Sequence, residues 1–378
     1  MTLSTTRRVA IASSAQTALA PRWSDRQHID LIAEVVGRTL KGTGIVIDDV
    51  DFVIDSGSDF LDGRSISNCG FLGSLGAHHK EESRVEEDGL WALAYASDKI
   101  AGGSAEVGLV VAYSKPSEGN VDNYWTGLLE PFIQRPVGLD QHSAAGLVAR
   151  RYLASAGMDP DDLHDVSRQA WERAEANAGV LTDGAVDQDG FWEDEVASPL
   201  RRSDFSRPVD GAVAVLVCRA DIAGDVTERP AWITGHGSAI DQHFLAARSW
   251  DSLPAAEAAA RAAYRMAGDT RPSDYDLIEL AATSTVGELM VLEALGFADP
   301  FGGIARYREP DGLSVNPSGG ALPADPIMAT GLVRLHEAAS RLMGRPGFET
   351  AEARRAVVHG TGGFAMQNHC VLTLEVDE

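Results

Sequence analysis

Along this chain, apolar β-branched runs bounded by turn residues alternate with alanine-rich stretches whose apolar positions recur at helical spacing. Val9-Ala10-Ile11-Ala12 reads as a first buried strand, and Val50 to Gly57 as a second that ends in turn residues. From Asp88 an acidic cap leads into Leu90, Leu93 and Ile100, and the stretch closes on Gly102 and Gly103, which predicts a helix. Val107 to Ser114 predicts the next buried strand, and Asp210 to Gly224 another, followed by a turn. A second series begins after Arg229-Pro230, with the run from Ala231 to Asp241. An alanine-rich helix near 255–267, a strand over Tyr275 to Leu280, a helix near 332–343 and a last strand over Cys370 to Val376 follow. Such alternation is the mark of α/β architecture.

The segment from Lys115 to Leu200 breaks the pattern. It holds Pro116, Pro131 and Pro136, a long helix around Leu163 to Ala178, and acidic loops such as Asp159 to Asp165. This texture fits an insertion lying over a core. The expected organisation is therefore an N-terminal half over 1–227, carrying a loop domain over about 115–200, and a C-terminal half over 228–378. With 378 residues the chain is long for one compact core, which agrees with two similar halves.

Composition narrows the function. The 56 acidic against 32 basic residues give a net charge of -24, which repels a phosphate backbone and argues against nucleic acid as partner. No run of about 18 apolar residues occurs, so no membrane span is expected. The first residues lack the apolar core of a signal peptide, and a cytoplasmic location is expected. Cys69, Cys218 and Cys370 are far apart and in no CxxC arrangement, so neither a disulfide framework nor a metal site follows.

Four motifs carry a resemblance. They are Asn316 to Gly331 (NPSGGALPADPIMATG), the run RPVDGAVAVLVCRADIA, the run YDLIELAATSTVGELMVLEALG, and VVHGTGGFAMQNHCVLTL near the C-terminus. Together they resemble the thiolase superfamily over nearly the whole chain. The resemblance implies a thiolase-like α/β fold, with two similar halves in five layers and an inserted loop domain. Its chemistry implies a nucleophilic cysteine at a helix N-terminus, where the helix dipole favours thiolate. It also implies an Asn-bound water and a histidine that hold the thioester oxygen, and a second cysteine as acid/base.

Each of those positions departs here. With Gly89 aligned to the glycine of the nucleophile helix, Glu86 stands at the cysteine, with Glu87 and Asp88 beside it. Ala281 stands at the asparagine, Asp325 at the histidine, and Met328 replaces a glycine. The second cysteine falls on Val358 or His359. Glu86, Asp325 and His359 are therefore the candidate catalytic residues, expected around one pocket. Each also has an ordinary structural use: Glu86 as a helix N-terminal acid, Asp325 as an Asx turn before proline, His359 as a satisfied core histidine. Gly319, Gly320, Gly362, Gly363 and Ser284 are the candidate residues for holding the thioester and CoA.

The cysteine-free pattern resembles the bacterial lipid-transfer-protein-like branch, some members of which are aldol-lyases in sterol side-chain breakdown. The resemblance implies retro-aldol cleavage of a β-hydroxyacyl-CoA, possible without a covalent nucleophile. Tyrosines are thought to serve those aldolases, and Ala281 to Thr285 contains none. Two alternatives stand beside this reading: a non-catalytic subunit of an acyl-CoA-processing complex, and an acyltransferase without an acyl-enzyme. The implied partners are an acyl-CoA, a homodimeric or heterodimeric thiolase-like mate, and a small zinc-ribbon/OB-fold subunit. No cofactor beyond the CoA of the substrate is implied.

Overall fold

In the computed structural model the residues described are 8–63, 67–309, 312–350 and 352–377. The strands are β1 (Val9–Gln16), β2 (Phe52–Ser56), β3 (Glu81–Val85), β4 (Val107–Ser114), β5 (Glu195–Ala197), β6 (Leu200–Arg201), β7 (Gly211–Arg219), β8 (Ala231–Ile240), β9 (Leu277–Glu279), β10 (Ser314–Val315), β11 (Arg355–Gly362) and β12 (Asn368–Glu375). Ten of them form one sheet, ordered β10-β9-β11-β12-β8-β1-β7-β4-β2-β3, and β5 pairs with β6 apart from it.

The order is symmetric about the β1–β8 seam. Walking outward, each side meets its first strand in the chain, then its fifth, fourth, second and third. The directions match as well. The two inner pairings on each side are antiparallel and the two outer ones parallel. The seam itself is narrow: Val9, Ala10 and Ile11 pair with Ile233, Trp232 and Ala231, and a register shift in β1 follows. The duplication that the sequence only suggests in its element order is thus explicit in the pairing.

Helices fill layers on both faces. The helix His28–Leu40 packs on β1, β4 and β7, and the helix Pro254–Met266 on β8 and β12. The latter lies unusually close, because Gly235 and Gly237 lack the side chains that would strike the carbonyls of Ala263 and Ala259. Between the two five-strand groups run the helices Gly89–Ala101 and Thr330–Leu342, which touch each other and strands of both groups. One apolar cluster joins Leu90, Leu93, Val215, Leu332, Leu335 and Leu372 there. The result is the five-layered thiolase-like arrangement expected from the resemblance.

Every residue of Thr330–Leu342 is buried, so its charged side chains have internal partners. Arg334 donates to Ser318 Oγ and lies 3.4 Å from Glu279, while Arg341 pairs with Glu337 at 2.6 Å. Between β4 and β7 the inserted segment folds mainly as the helices Val121–Gly127, Gln141–Ala156 and His164–Ala176. The strand expected over Asp210 to Gly224 ends at Arg219, and a short helix, Ala220–Val226, takes the place of its last residues and of the turn.

Candidate active site

β3 ends at Val85, and three acids lead from it into the Gly89–Ala101 helix. Asp88 is the N-cap. Its carboxylate accepts from Leu90 N at 2.9 Å and from Gly331 N at 2.8 Å, so one buried side chain caps the starts of both central helices. Burial pushes its pKa from the ordinary 3.8 up to about 7. Glu87 turns toward the C-terminal hairpin, where it accepts from Asn368 and lies against Gly362. Burial raises its pKa, with the Asn368 bond opposing.

Across from these acids, the loop before Thr330 delivers Asp325 to a small cavity of about 20 Å3. Its walls include Trp125 from the inserted domain, Ala281 to Thr283, Met328, and Thr361 to Gly363. Asp325 accepts from the Thr330 hydroxyl and from Ser206 Oγ, the latter at 2.7 Å. It is 7% exposed, and burial raises its pKa while the two hydroxyls pull it down. A carboxyl group held this way, able to exchange a proton and facing a cavity, is equipped for acid/base work. Tyr124, buried beside Trp125, brings a phenol to within 4.0 Å of the Met328 sulfur. Burial first, and the Glu87, Glu86 and Asp325 carboxylates next, keep that phenol protonated.

The three residues expected to share one pocket do not. Glu86 is exposed; it accepts from Asp59 N at 2.6 Å and lies 3.4 Å from Arg84. The chain turns between β3 and the helix cap, which sends Glu86 outward and Glu87 inward. His359 is fully buried on the other face of its sheet. Side chains alternate along β11, so Val358 and Gly360 face the central helices while His359 faces outward with Val357 and Val371. There its Nε2 meets Nδ1 of His369 at 2.9 Å. Burial and then the neighbouring imidazole hold its pKa well below the usual value. Of the three, only Asp325 lines the cavity.

Residues 237–375 match the family described as thiolase C-terminal domain-like. Over 99% of both chains the fold superposes on the solved structure described as the Ltp2-ChsH2(DUF35) aldolase, with a TM-score of 0.81 at 20% identity. The likeness to thiolases thus covers residues 237–375 in sequence and the whole chain in fold. It is similar to an acetyl-CoA acetyltransferase of Methanothermobacter thermautotrophicus, 32% identical over 240 residues, 60% of this chain. The aligned stretch spans 62% of that relative's length. It is also similar to the 17-hydroxy-3-oxo-4-pregnene-20-carboxyl-CoA lyase of Mycobacterium tuberculosis, 28% identical over 306 residues, covering 72% of this chain and 75% of the lyase.

The remaining candidates divide in two. Gly362 and Gly363 line the cavity, the second with φ +69°. Gly319 and Gly320 do not; they let the Asn316 loop pass under the inserted domain, where a Cβ on Gly319 would lie 2.9 Å from the Ala170 carbonyl. Ser284 caps the Thr285–Ala294 helix through Gly287 N at 3.1 Å, and its neighbour Thr283 reaches the cavity instead. Burial pushes the Cys218 thiol up to about 12 and Cys370 well above its usual value, and Cys69 is exposed, so no cysteine is set up as a thiolate at the cavity. Among the described residues no group of His, Cys, Asp and Glu has the arrangement of a metal site, and no helix is long and apolar enough to cross a membrane.

Sequence reasoning missed Glu87, Ser206, Thr330, Tyr124 and Trp125. Glu87 is adjacent to the chosen acid and is separated from it only by side-chain direction. Thr330 lies in the same Asn316 to Gly331 motif as Asp325, five residues on, which is a usable signal. Ser206, Tyr124 and Trp125 come from the inserted domain, and nothing in their local pattern ties them to the cavity.

Proposed function

We propose that this chain is a carbon–carbon lyase that performs retro-aldol cleavage of a β-hydroxyacyl-CoA thioester without a cysteine nucleophile. The observation that carries the reading is Asp325: a buried carboxyl group, held by two hydroxyls, on a cavity that no cysteine thiolate serves. Asp325 takes the proton of the substrate's β-hydroxyl. The Cα–Cβ bond breaks, its electron pair enters the thioester as an enolate, and a ketone or aldehyde departs. The proton then returns to Cα, which leaves a shortened acyl-CoA. The Gly362–Gly363 turn is the proposed cradle for the thioester oxygen. The lyase named in Mycobacterium tuberculosis and the aldolase named among the solved structures support this class of reaction.

An open cavity of about 570 Å3 in the inserted domain is the proposed seat of the CoA nucleotide. It is lined by Trp171, Phe191, Phe205, Arg202 and Arg207, and Ser206 joins it to Asp325. A steroid or other lipid side chain as the source of the acyl group belongs to the same proposal, resting on the lyase relative's name, with only a short branch of it entering beside Asp325. The name Ltp2-ChsH2(DUF35) joins two components, and a heteromeric assembly with a small zinc-ribbon/OB-fold partner is proposed for this chain by that analogy. The test is release of a carbonyl product from a β-hydroxyacyl-CoA, assayed with the chain alone and with such a partner. Exchange of Asp325 for Asn should lower turnover by roughly two to four orders of magnitude. Equal turnover by both forms would reduce Asp325 to a turn residue.

The narrowness of the Asp325 cavity, about 20 Å3, supports a second reading, a non-catalytic subunit. That reading requires cleavage to survive Asp325→Asn when an active thiolase-like mate is supplied.

A further inference from the structure

Met328 occupies the wall between the Asp325 cavity and solvent. Its φ of +73° is a left-handed conformation that side chains with a Cβ adopt rarely. Two donors hold the backbone there: its carbonyl accepts from Gly89 N at 2.8 Å and from Ser56 Oγ at 3.3 Å. The side chain is 7% exposed and packs with Leu61, Tyr124 and Ile327. Behind it the Tyr124 ring lies 4.8 Å from Trp125 and 6.3 Å from Phe60, and Phe60 is 60% exposed. The route from Asp325 outward on this side is therefore thioether, phenol ring, phenyl ring, solvent. What remains open beside Asp325 has room for about one water molecule.

We infer that Met328 is a specificity-determining residue, the stopper that ends the acyl pocket at Asp325 and restricts the group there to a short one. This rests on the acyl-CoA reading above and goes beyond it by assigning the limit on chain length to one side chain. A methionine suits the task because its unbranched thioether fills an irregular gap. Its strained backbone is tied to the start of the Gly89–Ala101 helix, which fixes where the stopper sits relative to Asp88 and Glu87. Glycine at this position would relieve the backbone and delete the plug in one change, leaving Tyr124 as the next wall.

The test uses S-alkyl-CoA thioethers, which carry no cleavable bond and report binding by titration calorimetry whether or not the chain is a lyase. S-methyl-, S-propyl- and S-hexyl-CoA are titrated into the full chain and into Met328→Gly. In the parent, affinity should stop rising beyond the shortest alkyl group. In Met328→Gly, S-hexyl-CoA should bind at least tenfold tighter than to the parent, with S-methyl-CoA changed by less than about twofold. Each methylene admitted to an apolar pocket is worth roughly fourfold in affinity. Equal S-hexyl-CoA affinity in the two proteins overturns the stopper while S-methyl-CoA binding leaves the acyl-CoA reading standing. If neither protein binds any of the three, the acyl-CoA reading falls and takes the stopper with it. Should Met328→Gly fail to fold, the parent series decides alone: a steady rise with each methylene overturns the proposal, and a plateau supports it.

Discussion

Asp325 and His359 were both expected at the reacting centre, yet the structure gives them opposite surroundings. Asp325 lines a cavity and is held by two hydroxyls from different parts of the chain. His359 is enclosed against a second histidine, and its Nδ1 has no hydrogen-bond partner among the described residues. What separates them is the face and depth of one strand: His359 faces the outer layer midway along β11, and the strand reaches the cavity only at its end, from Thr361 on. A residue one place earlier or later in β11 would face the central helices, whereas His359 faces the outer layer. Alignment of a motif to a family position gives the address of a residue to within one residue, and in a strand that one residue decides which side of the sheet the chemistry is on.

The sharpest way to break this contrast is to exchange both residues and read turnover per folded molecule. Asp325→Asn should cost roughly two to four orders of magnitude. His359→Gln should leave kcat within about threefold and lower stability instead, by about 1–3 kcal/mol, the usual cost of disturbing a buried hydrogen-bonded pair. A loss of turnover in the His359 variant as large as in the Asp325 variant would reverse the assignment.

The next effect is on stability against pH. Asp88 rises from 3.8 to about 7 in the folded protein. Between those values the folded chain keeps a proton that the unfolded chain releases, so Asp88 removes stability as pH rises through that window. Asn cannot ionise. Asp88→Asn should therefore gain on the parent from pH 4 to 7, by on the order of a few kcal/mol, in urea midpoints taken across the range. The buried His336 and His369, lowered to about 4 and about 3, act with the opposite sign in the parent curve. Only the difference between variant and parent isolates Asp88, and a pH-independent difference would contradict the assignment.

Smaller still is the contrast between the adjacent acids. Glu86→Gln loses an exposed contact with Arg84 and should shift stability by less than about 1 kcal/mol with turnover unchanged. Glu87→Gln keeps the reach to Asn368 and should move the acid limb of the pH–rate profile. Identical pH–rate profiles for the two variants would erase the distinction between them. The smallest effect is expected from joint replacement of Cys69, Cys218 and Cys370 by Ala, which should leave turnover unchanged. Thiol-reagent inactivation that an acyl-CoA prevents would point to a cysteine at the centre.

Legibility in the sequence followed periodicity. β4 was read at both ends, and the Gly89–Ala101 and Thr330–Leu342 helices within two residues of theirs, because cap and apolar spacing agree there. β3 went unread: with Glu81, Glu82 and Arg84 in five residues, an edge strand carries little apolar signal. The helices His28–Leu40 and Gln141–Ala156 were also passed over. The second opens on Gln141, His142 and Ser143, carries Arg150 and Arg151 midway, and spaces its few large apolar residues among alanines. For the site, Asp325, Gly362 and Gly363 were legible because local motifs fix them. Ser206, Tyr124 and Trp125 were not, since long-range packing of the inserted domain alone brings them to the cavity.

The Thr330–Leu342 helix has a consequence for the order in which the chain is made. All its residues are enclosed, and it contacts strands of both five-strand groups. On the ribosome, the inner face of the first group and the Gly89–Ala101 helix that covers part of it emerge long before this helix does. The N-terminal half must therefore wait, with part of that face open, for a helix that follows it in the chain. A nascent chain stalled before residue 330 should bind general chaperones, and one stalled after the final hairpin should not. Closure of the shared core is thus a single event, set by where one helix lies in the chain.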